Sequence, residues 1–573
     1  MHEHTESFMK TLFSGGFEED VVFSYPEMSK DEQDNLNLVM DSVKQFMLDN
    51  VDPAKIDKES VIPPEVIEGM KELGLFGLII PEEYGGFEFS QTAYAKIIEL
   101  MSGLEGSTAL TIGGHSSIGI KALLLFGTDE QKKKYLPRLA TGELIAAFAL
   151  TEPGAGSDAA SIKTRAVYNA DDDSYTLTGS KLWITNGGIA DFITTFARTE
   201  IEVDGKIKDK LSAFIVTRDM GYTSGVEEEK MGIKGSSTTE INFNGVVVPA
   251  SNMLGEKGKG FKVAMEVLNS GRLSLAAGSI GGMKECISLA TTHALERKQF
   301  GKSISEFEMI KEKIARMSME IFVCDSMTYL TTGLADRGSV DYSLESAMGK
   351  VFASEALWRT VNEAMQIAAG IGYMKEYPYE RILRDSRINM IFEGTNEILR
   401  LFIALAGMQD QGEYLKKIGK ALRDPIKGFG LLTDYAVARI KRSMIAPEIT
   451  KAHPVLNVQV KKVREYVRKF QGIVEEMIIK HGKNIIEQEL VLKRIADISI
   501  DLYAMIATIS RVTSLIESKG EDKCLTEIHI TETFCEEAWR RIRRNAAMTK
   551  SNQDNYINAI AESTYKSMGY NLG

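Results

Sequence analysis

The chain has 573 residues and a formal net charge of −12; 44% of its residues are hydrophobic and 26% are charged. This balance excludes a fibrous, low-complexity or largely disordered protein, and the length exceeds what one hydrophobic core usually spans. The four cysteines are scattered without a C-x-x-C pair, which argues against a zinc site or a disulfide framework and favours a reducing compartment.

The N-terminal stretch MHEHTESFMKTLFSGGFEED is acidic and has neither an apolar signal core nor an Arg-rich amphipathic presequence. We therefore recognise no targeting signal in it and expect a cytoplasmic protein. No nucleic-acid partner is expected.

Four regions are predicted along the chain. Residues 1–146 are an N-terminal helical domain, because apolar residues recur at helical spacing from about residue 30. Residues 147–255 are a middle β-domain, in which runs such as SYTLTGSKLWIT and TEINFNGVVVP alternate with Gly, Asn and Asp turns. Residues 256–409 form a helical bundle domain, and residues 410–573 form a C-terminal helical extension. The predicted fold is mainly α with a central β-domain, and the pattern lacks the strand–helix alternation of a doubly wound sheet.

The C-terminal region is basic, although the protein as a whole is acidic. Residues 411–573 carry a net charge of +7, and the rest of the chain carries −19. Segment 413–442 is Lys-rich and amphipathic. It is predicted either to lie on the anionic inner face of a membrane or to pack as a linker helix. Its basic residues are Lys416, Lys417, Lys420, Lys427, Arg439, Lys441 and Arg442.

The apolar run at 490–510 is predicted to be a buried bundle helix. It contains Lys493, Arg494, Asp497 and Asp501, whose charges would be costly in hydrocarbon.

Standard nucleotide, hydrolase and metal motifs are missing from the sequence. GEKGKGF at 255–261 and GIGYMK at 370–375 match neither G-x-G-x-x-G after a strand nor a P-loop. The sequence also has no HEXXH, no G-x-S-x-G and no EF-hand loop. Hydrolase and metalloenzyme classes therefore lose most of their support, and no metal is predicted.

FALTEPGAGSD, residues 148–158, stands at the entry to the β-domain and combines hydroxyl and small residues. Gly154 and Gly156 permit close approach of the backbone, and Thr151 and Ser157 bring hydroxyls that can hold a heterocycle edge or a pyrophosphate. An ordinary Gly-rich turn is the alternative.

SKLWITNG, residues 180–187, puts Trp183 on a strand beside Thr185. An indole can lie over an extended ring system while a neighbouring hydroxyl bonds to a ring heteroatom. A buried core tryptophan is the alternative.

Two helical segments contribute further candidates. HALERKQFGKSI offers Arg297 near Gln299, a cation and an amide that can hold a phosphate. QIAAGIGY offers small residues at Ala369 and Gly370, where backbone can approach a ligand. A solvated helix end explains the first pattern equally well, and helix packing is the simpler account of the second.

IFEGTNEIL, residues 391–399, places Glu393 after the bulky apolar pair Ile391 and Phe392. Such neighbours desolvate a carboxylate and raise its pKa toward the range of a general base. The alternative is a helix start at which Thr395 caps and the acid suits the helix dipole.

These motifs together stand in the order and at the spacings of the acyl-CoA dehydrogenase family of flavoenzymes, which the chain resembles over roughly residues 35–565. It is similar in particular to the very-long-chain branch, through KYLPRLATGE, KMGIK, GFKVAM, IFEGTNEILRLFIALAG and IIKHGKNIIEQELVLKRIADISIDLYAM. The resemblance implies the fold of this family, an added C-terminal helical domain, and FAD as the cofactor.

The resemblance implies that Glu393 removes the α-proton of the acyl thioester while hydride leaves the β-carbon for flavin N5. The carbonyl is then polarised by the flavin ribityl hydroxyl and by the backbone N–H of the base. Contacts with FAD are implied at Phe148, Leu150, Thr151, Gly156, Ser157, Trp183, Ile184, Thr185, Arg297, Gln299, Gln366, Ala369, Gly370, Thr395, Asn396 and Glu397. Contacts with substrate are implied at Ser157, Asn269, Arg272, Gly394, Ala109 and Gly113.

Four positions differ within the family. Some members carry the base just before the arginine of the helix at 261–280, where this chain has Gly271, so Glu393 has no competitor. Ala109 and Gly113 align with the pocket floor of medium-chain members, which have Gln and Glu there. Small residues at these positions predict a deeper tube and long acyl chains. Ala369 departs from the usual glycine.

The expected activity is therefore the dehydrogenation of long-chain acyl-CoA to trans-2-enoyl-CoA in fatty-acid β-oxidation, with electrons passed to electron-transfer flavoprotein. The resemblance also implies a homodimer. Two alternatives stay open: an acyl-CoA oxidase that uses oxygen, and a flavoprotein scaffold that acts as an assembly or binding partner.

Overall fold

The computed structural model describes residues 6–338, 340–423 and 447–571. The chain divides into two compact units: Pro26–Asn396, and Met1–Tyr25 together with Glu397–Gly573. In chain order the α-helices are α1 (Phe8–Phe13), α2 (Glu19–Val22), α3 (Lys30–Asn50), α4 (Pro53–Glu59), α5 (Pro64–Glu72), α6 (Gln91–Leu104), α7 (Gly106–Gly113), α8 (Lys121–Phe126), α9 (Asp129–Ala140), α10 (Gly260–Glu296), α11 (Glu308–Asp336), α12 (Ser343–Ala368), α13 (Tyr379–Arg387), α14 (Asn396–Arg423), α15 (Asn457–His481), α16 (Glu489–Lys519), α17 (Leu525–Met548) and α18 (Asp554–Lys566).

The strands lie between the two helical parts of the larger unit. They are β1 (Ala146–Ala149), β2 (Arg165–Asn169), β3 (Ser174–Thr185), β4 (Phe192–Val203), β5 (Lys206–Thr217), β6 (Thr223–Glu227), β7 (Thr238–Pro249) and β8 (Met253–Leu254), with a short hairpin of β9 (Lys298–Gln299) and β10 (Lys302–Ser303) farther on. The predicted fold class, mainly α with a central β-domain and a helical C-terminal region, is confirmed.

The sheet has the order β6-β7-β3-β2-β4-β5-β8, and β1 pairs in parallel with β4. Successive residues of a strand point to opposite faces, so Phe192 packs in a core shared with α8, α9 and α10 while Ile193 packs in the core inside the β-domain. Burial of both faces explains why β1, β4 and β5 read as nearly continuous apolar runs at this end of the domain.

The helices around the sheet begin at side-chain caps. Ser29 accepts a hydrogen bond from the Glu32 N–H at the start of α3, and Glu105 accepts from the N–H groups of Ser107 and Thr108 at the start of α7. These bonds satisfy N–H groups that have no partner within a helix. Glu105 is the residue at which α6 ends and α7 begins, so the two helices join without a loop.

Helix α10 packs on α6 at a glycine contact. A Cβ added at Gly281 would lie 2.0 Å from the Glu99 carbonyl oxygen, so the two backbones touch at this crossing. Only glycine permits this approach. The contact sets the depth at which the next turns of α10 lie beside α7.

Residues 6–25 pack in the smaller unit, whereas the sequence analysis placed them in the N-terminal helical domain. The reason is hydrophobic. Phe8, Leu12 and Phe13 of α1 are fully buried, and the Phe13 ring packs edge-on against Phe470 of α15 with 4.8 Å between centroids. The helical periodicity that predicted this domain begins near residue 30, so it gave no information on which core residues 6–25 enter.

Helix α16 confirms the predicted buried bundle helix at 490–510. Its charges are tolerated because they are paired: Asp497 with Arg400 at 2.7 Å and Asp501 with Arg541 at 2.7 Å. Arg494 binds both carboxylate oxygens of Asp554.

The basic segment 413–442 begins within α14, which ends at Arg423. Residues 424–446, including Lys427, Arg439, Lys441 and Arg442, lie outside the described residues, as do the side chains of Lys417 and Lys420. Its contact with lipid stays a prediction. Among the described residues, one helical run, Gly106–Phe126, is long and apolar enough to cross a membrane, and 67% of its apolar window is buried in the protein.

A buried ion pair ties the turn after β1 to strand β3. Lys181 is fully buried, and its Nζ lies 2.8 Å from Glu152 Oε1 and 3.2 Å from the Leu150 carbonyl oxygen. Burial lowers the pKa of Lys181 to about 8, and the Glu152 charge opposes that shift. Because Lys181 precedes Trp183, the pair holds the two predicted flavin motifs beside each other.

Removing one charge of this pair is expected to destabilise the protein. Glu152→Gln keeps the shape of the side chain but leaves Lys181 buried without a counter-charge, which should cost about 3–5 kcal/mol of unfolding free energy. The matched control is Glu200→Gln, since Glu200 meets Arg165 at 3.5 Å on the surface and should contribute about 0–1 kcal/mol. Thermal denaturation of both variants checks this. Equal losses of thermal stability in the two variants would show that the buried pair stabilises the protein no more than the surface pair does.

Candidate active site

A narrow cavity of about 180 Å³ runs through the larger unit between α6, α7, α10 and α13. Helix α10 contributes one face to its wall, at Gly271, Ser274, Leu275, Gly278, Gly282 and Glu285. These positions recur every three or four residues, so they line one side of the helix. From Gly271 to Glu285 the helix rises about 21 Å at about 1.5 Å per residue. The cavity is therefore long as well as narrow.

Glu393 lies at one end of this cavity, in the turn that precedes α14. Its φ is +57° and that of Gly394 is +90°, a left-handed turn that is costly for a residue with a side chain. A Cβ added at Gly271 would lie 2.8 Å from Glu393 Oε2. The carboxyl group thus occupies space that any other residue at position 271 would fill.

Burial dominates the electrostatics of Glu393. It raises the pKa of the carboxyl group to about 7, while the charges of Arg272 and Lys350 act in the opposite direction. Oε2 is buried and has no hydrogen-bond partner in the part of the chain that the structure describes. A carboxyl group with a pKa near neutrality and a free oxygen can accept a proton at physiological pH.

Two buried cations hold the turn that carries Glu393. Lys350 of α12 donates to the Gly394 carbonyl at 2.9 Å and to Asn396 Oδ1 at 2.8 Å. Arg272 donates to the Glu393 carbonyl at 3.5 Å and to Asn269 Oδ1 at 3.0 Å. Burial lowers the pKa of Arg272 to about 10, against the effect of the Glu393 charge.

Sequence reasoning missed Lys350. The available signal was a single lysine in the otherwise apolar stretch AMGKVFA of a long helix. A fully buried lysine requires partners, which here are two oxygens of the Glu393 turn.

The Asn396 side chain bonds within the protein, and its predicted contact with FAD stays a prediction. Its side chain is buried and bonded to Lys350 and to Ser354 Oγ, at 2.8 and 3.1 Å. Those bonds direct the amide toward α12, so it positions the turn. Thr395 is half buried beside it, and Glu397 is exposed in the first turn of α14.

The predicted substrate residues divide into three places. Ala109 and Gly113 of α7 line the cavity, and a Cβ at Gly113 would meet no atom within 4 Å. Asn269 and Arg272 lie behind the Glu393 turn, as their bonds show. Ser157 is exposed in the turn after β1 and does not line the cavity.

The predicted flavin residues of the β-domain differ in how far their side chains are buried. Thr185 lines the cavity, and Trp183 is 61% exposed with φ +56° at an irregularity of the β3–β7 pairing. Phe148, Leu150 and Ile184 are instead buried in the two cores of the domain. Trp183 is therefore a surface indole, and the alternative of a core tryptophan is wrong.

These residues fit a flavin. In the described part of the chain, the hydroxyls of Thr151, Ser157 and Thr185 bond to no protein group, and a Cβ at Gly156 would meet nothing within 4 Å. Free hydroxyls, open backbone and an exposed indole are what a flat heterocycle with a polar edge requires.

The remaining predicted FAD residues lie outside the cavity wall. Arg297 and Gln299 are exposed at the end of α10 and in the β9–β10 hairpin. Gln366, Ala369 and Gly370 are exposed where α12 ends, and Ala369 has φ +52°. Within one chain the structure does not bring these two groups to Glu393.

Comparisons with known proteins agree with this architecture. Residues 33–143, 147–246 and 258–408 match the N-terminal, middle and C-terminal domain models of acyl-CoA dehydrogenases, and residues 454–570 match the ACAD9/ACADV C-terminal domain. The chain is 44% identical to the mitochondrial very long-chain specific acyl-CoA dehydrogenase of Homo sapiens, over 96% of this chain and 85% of that one.

Two solved structures are similar to the chain. One is an acyl-CoA dehydrogenase of Bacillus anthracis complexed with FAD, with TM-score 0.79, 34% identity and coverage of 98% of this chain and 96% of that one. The other, described as an electron transferring flavoprotein of Acidaminococcus fermentans, has TM-score 0.62 and 36% identity over 67% of this chain and 99% of that one. The chain is an enzyme that belongs to the acyl-CoA dehydrogenase family of oxidoreductases and carries the additional C-terminal domain of the very-long-chain members.

Proposed function

We propose that the protein catalyses the FAD-dependent α,β-dehydrogenation of long-chain acyl-CoA to trans-2-enoyl-CoA in fatty-acid β-oxidation. The observation that carries the proposal is the Glu393 carboxyl group, which has a free buried oxygen and a pKa near 7 at one end of a long narrow cavity. The FAD complex of the Bacillus anthracis relative and the very long-chain specificity of the human relative support the cofactor and the substrate class.

Glu393 acts as the general base in this proposal. With the acyl chain in the cavity, the α-carbon lies at the Glu393 end, and the α-proton moves to Oε2 as the Cα–Cβ double bond forms. The backbone N–H of Glu393 donates to no acceptor in the described part of the chain, so it is available to the thioester carbonyl. Such a donor stabilises the enolate charge that develops there.

FAD, when bound, supplies the acceptor for the hydride from the β-carbon. Trp183, Thr185, Thr151 and Ser157 would hold its ring system, as their exposure and free hydroxyls allow. The apolar walls around Phe392 and Ile118 exclude water from the reacting carbons.

Electron-transfer flavoprotein as the acceptor is part of the proposal, supported by the similarity to the Acidaminococcus fermentans structure. A homodimer, a cytoplasmic location and contact of segment 413–442 with the inner face of a membrane also belong to it. An acyl-CoA oxidase would instead produce hydrogen peroxide with oxygen alone, which a peroxide assay distinguishes.

Glu393→Gln is expected to keep bound FAD and to abolish reduction by substrate. The amide cannot take the α-proton, so the rate of flavin bleaching near 450 nm by palmitoyl-CoA should fall by about 10²- to 10⁴-fold. Anaerobic stopped-flow absorbance checks this, with Glu376→Gln as the control because Glu376 is exposed and does not line the cavity. Rapid bleaching by the Glu393→Gln variant would remove Glu393 as the base, and wild-type turnover no faster than that of the variant would favour the scaffold alternative.

Gly271→Ala is expected to displace the base without removing it. The new Cβ would lie 2.8 Å from Oε2 and must move the carboxyl group, and a shift near 1 Å costs about 10²-fold in rate. Gly349→Ala is the matched control, since Gly349 is a buried helical glycine whose added Cβ meets no atom within 4 Å. The measurement is the rate of flavin bleaching by palmitoyl-CoA in the Gly271→Ala and Gly349→Ala variants. If both variants react at the wild-type rate, the close packing of Gly271 on Glu393 has no catalytic role.

Gly113→Glu is expected to shorten the preferred acyl chain. The side chain has only the cavity to occupy, so it blocks the tube beyond Glu393. The kcat/KM ratio of palmitoyl-CoA to octanoyl-CoA should fall by at least about ten-fold. Gly113→Ala, whose methyl group meets nothing within 4 Å, should leave the ratio unchanged. An unchanged ratio for Gly113→Glu would refute the role of this wall.

A further inference from the structure

The end of the cavity opposite Glu393 is lined by charged side chains. Glu285 of α10 lies there, together with Arg381 of α13. Glu285 is four helical turns from Gly271, which contacts the Glu393 carboxyl group, so about 21 Å of helix separates the two ends. An acyl chain that enters from the Glu393 end therefore directs its terminus toward Glu285.

Helix α13 runs along the same cavity in the opposite direction. Its first residues lie beside the later turns of α10, because the Tyr379 hydroxyl donates to the Leu289 carbonyl at 3.4 Å. From there Pro378, Arg381, Ile382 and Asp385 line the wall at helical spacing toward Glu393. Arg381 is thus at the Glu285 end of the tube.

The charge of Arg381 acts on Glu285, Asp57 and Asp385, but no direct bond joins it to them in the described part of the chain. Neither Glu285 nor Arg381 makes a side-chain hydrogen bond or an ion pair within the described ranges of the chain. Arg384, one turn along the same helix, contrasts with them, since it binds both oxygens of Asp57 at 2.7 and 2.8 Å. Burial raises the pKa of Glu285, and the nearby Arg381 charge opposes that rise.

Asp385 differs from Glu285 and Arg381 because it has a hydrogen-bond partner. Its carboxylate accepts a hydrogen bond from the Ile233 N–H, which fixes the loop before β7 against α13. Two polar groups that bond to no protein atom in the described residues, an acceptor and a donor, therefore remain at this end of the cavity. Both side chains are half buried, so a methyl terminus that reaches them displaces water without replacing its hydrogen bonds, whereas a polar terminus can replace them.

We infer that Glu285 and Arg381 recognise a hydroxyl group at the ω-end of the acyl chain. A hydroxyl both donates and accepts, so it can donate to the Glu285 carboxylate and accept from the Arg381 guanidinium at once. An ω-carboxylate would pair with Arg381 but would face the charge of Glu285. This inference rests on the proposed function and names a substrate class within it: ω-hydroxylated long-chain acyl-CoA.

The test compares palmitoyl-CoA with its ω-hydroxy and ω-carboxy derivatives. Calorimetric Kd values are measured on the FAD-loaded Glu393→Gln protein, which binds without turnover, and kcat/KM values on the active enzyme. The ω-hydroxy derivative should bind at least as tightly as palmitoyl-CoA. Arg381→Met and Glu285→Leu should each lower the preference for hydroxyl over methyl by about ten-fold, the usual contribution of one hydrogen bond to a charged group.

Arg387→Met is the matched control, because Arg387 is on the same helix but lies over the Trp358 ring and not in the cavity wall. It should leave the preference unchanged. Weak binding of the ω-hydroxy derivative, or a preference that neither cavity variant changes, would overturn the inference. So would tighter binding of the ω-carboxy derivative that Arg381→Met abolishes. If palmitoyl-CoA fails to reduce the wild-type flavin, the proposed function is overturned. The Kd ratios would still show whether Glu285 and Arg381 bind an ω-hydroxyl group.

Discussion

The site depends on an unpaired carboxyl group, with a buried oxygen, held in a half-buried turn. Most buried carboxylates are stabilised by a cation or by N–H donors, which lower their pKa. At Glu393 the nearby cations bond to backbone oxygens of the turn, at Glu393 and Gly394, and the side-chain oxygen Oε2 stays free. The fold therefore stabilises the position of the turn while leaving the carboxyl group basic.

Helix α10 connects this group to the rest of the cavity. Glycine at 271 leaves space for the carboxyl group, and glycine at 281 lets α6 approach closely enough to close the wall. The same helix face then carries Glu285 to the far end. One straight element thus sets both where the thioester reacts and how far the acyl chain extends, because the helical rise per residue is constant.

The β-domain supplies the opposite side of the site through a separate constraint. The Glu152–Lys181 pair holds the turn after β1 beside β3, and the irregular pairing of β3 with β7 turns Trp183 outward. An exposed indole and free hydroxyls are unfavourable in isolation and become favourable when a ring system covers them.

The sequence by itself determined the chemistry and the order of the parts. Contiguous motifs identified Glu393, the hydroxyl and indole residues of the β-domain, and the helix–sheet–helix order, because residue type and short-range periodicity are local properties. Only the tertiary structure decided that Lys350 holds the Glu393 turn, that Asn396 faces α12, that α1 joins the smaller unit, and that Glu285 meets the cavity near Arg381. These facts depend on contacts between residues far apart in the chain, and such contacts follow from how helices pack rather than from any local pattern.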